Sequence, residues 1–127
     1  MAAADITAAR FTAALAGASE RPDAGDPDAH GTATIAVDEN KGEVCYDLAV
    51  TGMKATAAHI HEGGPNDAGP IVVNFTPPGP DGKSQGCTKP ADKDSVTKIV
   101  QKPSAYYVNV HSAEFPQGAV RGQLGPS

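Results

Sequence analysis

Long apolar runs and clusters of basic residues are both missing from this sequence. No apolar run approaches the roughly 18 to 20 residues that span a bilayer, so we expect no membrane-spanning segment. The N-terminal MAAADITAAR has neither the basic nor the apolar region of a signal peptide, and we expect that any such peptide was removed before Met1. The 10 Lys and Arg residues are outnumbered by 15 Asp and Glu and form no cluster, which argues against a phosphate-backbone binder. We therefore expect no nucleic-acid partner.

The common catalytic motifs are absent as well. The sequence contains no G-x-S-x-G elbow, Walker loop or dinucleotide fingerprint, and neither cysteine has a neighbouring histidine that would activate a thiol. Acyl, phosphoryl and hydride transfer therefore lack the residues that they need. The aspartates of the segment ERPDAGDPDAH lack the carboxylate and glycine spacing of an EF-hand, so we interpret them as a solvated acidic turn.

Only two cysteines are present, and their spacing matches no zinc-type CxxC motif. Cys45 and Cys87 lie 42 residues apart, which favours a single disulfide that closes a long loop. A disulfide indicates an oxidising compartment, extracellular or periplasmic. The alternative is a pair of unrelated buried thiols in a cytosolic protein, because free cysteine often serves only as a small apolar side chain.

Glycine and proline are abundant, with 14 Gly and 11 Pro in 127 residues, and the apolar residues come in short alternating runs. This composition predicts one turn-rich all-β domain over residues 1–127, a Greek-key β-sandwich or flattened barrel. Residues 77–92, rich in glycine and proline, are expected to form a loop, and apolar residues at 96, 99 and 100 predict one short helix near residues 94–102. Alternation predicts seven strands, in FTAALAGA, GTATIAV, EVCYDLAVTGM, TAAHIHEG, GPIVVNFTP, AYYVNVHSA and GAVRGQL.

Two of the four histidines lie one residue apart, in the segment AAHIHEGG. Side chains alternate along a strand, so His59 and His61 share one face while Ile60 points to the core. His111 has the equivalent outward position on its own strand and joins them if the two strands are near neighbours. Three converging imidazoles suit Cu(II), with zinc as the second choice, since copper leads the intrinsic order of affinity. His30, at the start of a strand after the acidic loop, is a candidate fourth donor, although alone it is better interpreted as a solvated residue.

The structural alternative is that these histidines hydrogen-bond to loops or to Asn109 and hold the outer face of the sheet together. For one isolated histidine that alternative is the better interpretation. The pairing of His59 with His61 and the equivalent position of His111 make a shared metal site an equally good one.

Several segments together resemble the CHRD domain family over about residues 11–124. They are FTAALAGASERP, GTATIAV, CYDLAVTGM, AAHIHEGGPNDAGPIVV and AYYVNVHSAEFPQGAVRGQL. The resemblance implies a β-sandwich domain of extracellular or periplasmic proteins, of the kind found singly in bacterial secreted proteins. SERPD stands where members usually have NEVPP, which alters a loop, and His30 stands where no fixed histidine is expected, which leaves its role open.

The segment HIHEGG is also similar to the copper-ligand strand of copper–zinc superoxide dismutases, which are Greek-key β-sandwiches with a disulfide and outward ligand histidines. This is an analogy of site geometry. The zinc-bridging histidine and the zinc loop have no counterpart, so the analogy implies a copper-only site. Arg121 then becomes a candidate catalytic residue that steers anions to the metal; the alternative is an ion pair with Glu62 or Glu114.

These observations predict a secreted or periplasmic domain that binds a copper ion through His59, His61 and His111, with His30 or water completing the shell. Its role would be copper handling or superoxide dismutation, and an enzyme would need an open coordination position that a carrier site does not need. The rival hypothesis is a metal-free adhesion or interaction module, in which the histidine face and the proline-rich loops bind an extracellular protein.

Overall fold

The computed structural model describes residues 8–90 and 92–126, and most of its regular structure is β-strand. The strands are β1 (Ala9–Ala16), β2 (His30–Asp38), β3 (Glu43–Thr51), β4 (Ala55–Glu62), β5 (Ile71–Phe75), β6 (Lys83–Thr88), β7 (Tyr106–Ser112), β8 (Val120–Gln123) and β9 (Gly125–Pro126). One α-helix, α1 (Asp94–Gln101), precedes β7, and short 3-10 turns cover Gly17–Ser19 and Pro103–Ala105. The predicted all-β fold with one short helix is confirmed. Within the described ranges, no helix has the length and apolar character to cross a membrane.

All strands belong to one antiparallel sheet, in the order β5-β4-β7-β8-β1-β2-β3-β6, with β9 paired to β1. The two ends of the sheet approach each other, since Ser84 Oγ on β6 donates to the carbonyl of Thr76, just after β5, at 2.7 Å. The sheet is therefore a nearly closed barrel. The pairs β3–β6 and β4–β7, which are neighbours in space but not in sequence, give it crossing connections of the Greek-key type.

The interior of the barrel is apolar because alternate residues of each long strand point inward. In β3, for example, the residues of the inward set are buried and those between them are half-buried or exposed. The core includes Leu15, Ile35, Leu48, Ile60 and Val108, and α1 adds Val96 and Ile99 to it. Each such side chain contributes about 1.5 to 3 kcal/mol when it is fully buried, so the alternation that predicted the strands also accounts for the stability of the barrel.

The prediction of a continuous loop over residues 77–92 was wrong in its middle, where β6 pairs with β3. The β6 sequence, KSQGCT, has no fully buried residue and alternates only between half-buried and exposed positions. Strand prediction depends on an apolar face, and β6 has none. The two-residue strand β9 was missed for the same reason.

Cys45 of β3 and Cys87 of β6 lie directly opposite each other and form a disulfide, as predicted. A carboxylate oxygen of Glu43 lies within 4.8 Å of both sulfur atoms, so the three residues have the spacing of a group of metal ligands. Because the sulfurs are bonded to each other, however, neither is available as a thiolate ligand.

Reduction of this disulfide should destabilise the domain. The bond spans 42 residues, so it restricts the unfolded chain more than the folded one. We expect reduction to lower the free energy of unfolding by about 2 to 5 kcal/mol, measured by urea denaturation with and without reductant. Mass analysis under non-reducing conditions, which should show two hydrogens missing, is the control. Equal urea midpoints for the two forms would contradict the expectation.

Candidate metal centre

Three histidines share the outer face of the β4–β7 strand pair. His59 and His61 are two residues apart on β4 and flank Ile60, which is in the core. The strand register pairs His59 with Asn109 and Ala57 with His111, so all three imidazoles belong to one face. The condition for the third imidazole to join the first two, that its strand should lie beside theirs, is met.

The three rings are close together. The ring centroids are 5.4 Å apart for His59 and His61, 5.0 Å for His59 and His111, and 6.3 Å for His61 and His111. One ring nitrogen from each histidine lies within 4.8 Å of those of the other two. Since metal–nitrogen bonds are about 2.0 to 2.1 Å long, small ring movements suffice to bring all three nitrogens to one ion.

Hydrogen bonds to backbone carbonyls fix the tautomers of two of the rings. Nδ1 of His61 lies 2.8 Å from the carbonyl oxygen of Gly69, and Nδ1 of His111 lies 2.9 Å from that of Pro116. A carbonyl oxygen can only accept, so both Nδ1 atoms carry the proton and both Nε2 atoms are unprotonated acceptors. Histidines that bind metals in proteins are held in this way, with one nitrogen free for the metal and the other donating to the protein.

The third ring, His59, is bonded to a neighbour in the cluster. Its Nδ1 lies 3.1 Å from Nε2 of His111, which must accept, so His59 Nδ1 donates this hydrogen bond. Two metal–nitrogen bonds of about 2 Å at an angle of about 100° give a similar separation. A metal ion could therefore take the position of this proton, and the neutral His59 ring would then carry its proton on Nε2 instead of Nδ1.

The environment keeps the three imidazoles neutral at neutral pH. Burial, together with the charges of His111 and His61, lowers the pKa of His59 to about 4. Burial also lowers the pKa of His61 and that of His111, against the opposing effect of their bonds to backbone carbonyls. Neutral imidazole is the form that binds metal, so protons compete weakly for this site at pH 7.

The β4–β5 loop (residues 63–70) folds over the histidine face, and Arg121 of β8 anchors it. The Arg121 side chain is only 1% exposed, and its guanidinium donates to the carbonyls of Gly64 and Asp67 at 2.6 and 2.5 Å. The guanidinium carbon also lies 3.3 Å from the centre of the Tyr107 ring, on which His61 stacks at 4.9 Å. Arg121 thus fixes the loop whose last glycine sets the tautomer of His61.

Arg121 forms neither of the ion pairs considered from the sequence. Its hydrogen bonds go to backbone carbonyls and to the side chain of Gln123, and the carboxylates whose charges act on it are Glu20 and Asp67, not Glu62 or Glu114. The structure therefore shows an anchoring role for this residue. An anion-steering, catalytic role for Arg121 stays a prediction.

The structure does not bring His30 to the cluster. One row of paired residues runs across the sheet through His59, Asn109, Arg121, Ala16 and His30. Four strand spacings of about 4.8 Å thus separate His30 from His59 along the sheet. The His30 ring lies instead 3.0 Å from Oγ1 of Thr51, its partner on β3. The order of the strands, which the sequence does not reveal, is what separates the two histidines.

Sequence reasoning missed a buried carboxyl group, that of Glu20, which lies next to Asn109. Glu20 is 2% exposed, and burial raises its pKa to about 7 against the charge of Arg121 and a hydrogen bond from the side chain of Asn109, which lower it. In the sequence Glu20 is one of several acidic residues in a proline-containing segment. Nothing in that pattern distinguishes a buried carboxyl from the solvated ones.

The histidine cluster should make the metal-free protein less stable in acid. Folded His59 has a pKa of about 4, whereas histidine in an unfolded chain titrates near 6.5. Between these values the unfolded chain binds more protons, so the free energy of unfolding rises with pH. We expect the urea midpoint, measured in chelator, to fall as the pH is lowered from about 6.5 to 4, and His59→Gln to flatten this dependence.

Glu20 should act in the opposite direction and provides an internal check. Its folded pKa of about 7 exceeds the value of 4.5 for a free side chain, so the folded state binds more protons between these values and loses stability as the pH rises through them. Glu20→Gln should therefore steepen the rise that His59 causes. A His59→Gln profile that matches the wild-type profile would contradict the assignment of His59.

Comparison with known proteins identifies the family. The model of the CHRD domain matches residues 11–124, which is nearly the whole chain. Searches of the curated proteins and of the solved structures return no significant match. The span that the sequence resemblance suggested is the span that the family model matches, and the chain belongs to the CHRD domain family.

Proposed function

We propose that this domain binds a copper ion through His59, His61 and His111 and acts in copper handling in an oxidising, extracellular or periplasmic compartment. The observation that carries the proposal is the tautomer of His61 and His111. Each ring donates its Nδ1 proton to a backbone carbonyl and leaves Nε2 unprotonated, as an acceptor in the shared cluster.

A buried atom without a partner supports a ligand at this place. His61 is 8% exposed, and its Nε2 has no hydrogen-bond partner in the part of the chain that the structure describes. A buried acceptor that is left unpaired costs about 1 to 3 kcal/mol. An ion bound at Nε2 would remove this cost. The unpaired Nε2 therefore favours a bound ligand, either a metal ion or a hydrogen-bond donor, at this position.

The choice of copper follows from the donor set. Neutral imidazoles bind Cu(II), zinc and nickel, and copper has the highest intrinsic affinity among these divalent ions. The Cys45–Cys87 disulfide fits an oxidising compartment, where Cu(II) is the stable form of the ion. Zinc is the second choice for the same three nitrogens.

Two further hypotheses make different demands on the same face. Superoxide dismutation needs a coordination position that stays open, which three histidine donors leave available, and it stays a prediction. An adhesion module would use the histidines as an exposed contact surface. His61, however, lies under the β4–β5 loop and bonds inward to Gly69, which favours a ligand site over a contact surface.

Titration of the metal-free protein with Cu(II), followed by EPR, tests the proposal. We expect nitrogen hyperfine structure from several imidazoles in the wild type. His59→Ala and His111→Ala should each weaken binding by more than about tenfold, because each removes a donor. His30→Ala is the matched control, since His30 is exposed and lies outside the cluster, and it should bind as the wild type does.

The outcome that would contradict the proposal is equally specific. If the two cluster variants bind Cu(II) with the same affinity and spectrum as His30→Ala, the cluster is not the copper site. The interaction module would then be the better hypothesis.

A further inference from the structure

Asn109 occupies the centre of the histidine cluster. On β7 it lies directly opposite His59, and Tyr107, the residue opposite His61, and His111 are its neighbours on the same face. Opposite residues in an antiparallel pair have Cβ atoms about 4.5 to 5.5 Å apart, and diagonal neighbours remain within reach of long side chains. Three imidazoles thus surround one amide side chain, which is itself only 3% exposed.

Glu20 determines which way this amide points. The Asn109 side chain hydrogen-bonds the Glu20 carboxyl group and favours its ionised form. A carboxylate can only accept and Nδ2 is the only donor of the amide, so Nδ2 faces Glu20. Oδ1 therefore faces away from Glu20, on the side of the histidines. Oδ1 has no hydrogen-bond partner among the described residues.

The space for Glu20 depends on a glycine. Gly118 has a φ of 136°, and a Cβ built there would overlap the Glu20 carboxyl group. Any other residue at position 118 would have to displace that group. The carboxyl group is thus held by its surroundings rather than left free to turn.

Oδ1 of Asn109 and Nε2 of His61 are both acceptors without a partner among residues 8–90 and 92–126. The Nδ1 proton of His61 is committed to the Gly69 carbonyl, so the neutral His61 ring has no proton to donate to Asn109. In the neutral state each of these two buried acceptors therefore lacks a donor. A cation coordinated by both would satisfy both.

We propose that Asn109 is the fourth donor of the metal site, through Oδ1, and that Glu20 is the positioning residue that keeps this oxygen turned toward the histidines. The proposal rests on the three-histidine site proposed above and completes it with an oxygen. A carbonyl oxygen is a known weak fourth ligand in copper sites whose other donors are stronger. The site would then have three nitrogen donors and one oxygen donor.

Cu(II) titration followed by EPR of matched asparagine variants tests this. Asn109→Ala should weaken binding by about tenfold and change the parallel copper hyperfine splitting, because an oxygen donor is lost. Asn74→Ala is the control: Asn74 is exposed on β5 and is the other neighbour of His59 across the sheet. It should leave affinity and spectrum unchanged.

Asn109→Asp provides a second variant that keeps an oxygen donor and adds charge. It should bind Cu(II) at least as tightly as the wild type and give a changed spectrum, and it decides the question if Asn109→Ala does not fold. The fourth donor would be overturned if the wild type binds copper through several imidazoles but Asn109→Ala or Asn109→Asp matches Asn74→Ala in both affinity and spectrum. The histidine site would remain intact in that case. No copper binding by the wild type would overturn the histidine site itself.

The positioning role of Glu20 is tested by comparing the EPR spectra of two Glu20 variants with Cu(II) bound. Glu20→Gln keeps an oxygen that accepts from Asn109 Nδ2 and should give the wild-type spectrum. Glu20→Leu leaves the amide free to rotate and should give the spectrum of Asn109→Ala. A Glu20→Leu protein that is folded, as judged by thermal unfolding, and has the wild-type spectrum would overturn the positioning role.

Discussion

The arrangement of the site depends on the hydrogen bonds that the buried guanidinium of Arg121 donates to the β4–β5 loop. A buried cation is stable only when its donors are satisfied, and hydrogen bonds to a charged group contribute about 1.5 to 3 kcal/mol each. Here the donors reach the carbonyls of Gly64 and Asp67, so the charge can be buried only if the β4–β5 loop lies across the sheet. The same loop carries the Gly69 carbonyl that holds the proton on Nδ1 of His61. Arg121 thus fixes the β4–β5 loop, and through the Gly69 carbonyl that loop leaves Nε2 of His61 unprotonated and able to bind a metal ion.

The sheet has two buried layers of different chemistry. Inside the barrel the packing is apolar, as in any small β-domain. On the outer face of β4, β7 and β8 lies a second buried layer, which is polar and includes Tyr107, Asn109 and Arg121. Buried polar groups need partners in fixed positions, so this layer is more strongly specified than the apolar one. Among the described residues three buried side-chain atoms lack a hydrogen-bond partner: Nε2 of His61 and Oδ1 of Asn109, which belong to the proposed metal site, and Oε2 of Glu20.

Much of the barrel, and the three histidines, could be predicted from the sequence because alternation reports which face a residue occupies. Ile60 marks the inner face of β4, and His59 and His61 follow on the other face. What alternation cannot report is which strands are neighbours. The register that places His111 beside His59, and the four strand spacings that separate His30 from it, are long-range properties.

The buried polar layer was not predictable for a related reason. Glu20 and Arg121 are charged residues, which the sequence alone assigns to the surface. Arg121 is buried under the β4–β5 loop, to which its guanidinium donates, and the Glu20 carboxyl group is buried against Gly118. Both contacts join distant parts of the chain. The strand β6 escaped prediction because it contributes hydrogen bonds and a cysteine to the sheet but no apolar face.

The most direct test of this account is the protonation state of each imidazole nitrogen, measured by 15N NMR of the histidine rings before and after addition of a diamagnetic ion such as Zn²⁺. The account predicts that metal-free His61 and His111 carry the proton on Nδ1, and that the added ion shifts Nε2 of these two rings and Nδ1 of His59. A proton on Nε2 of His61 in the metal-free protein, or shifts confined to other nitrogens, would contradict it.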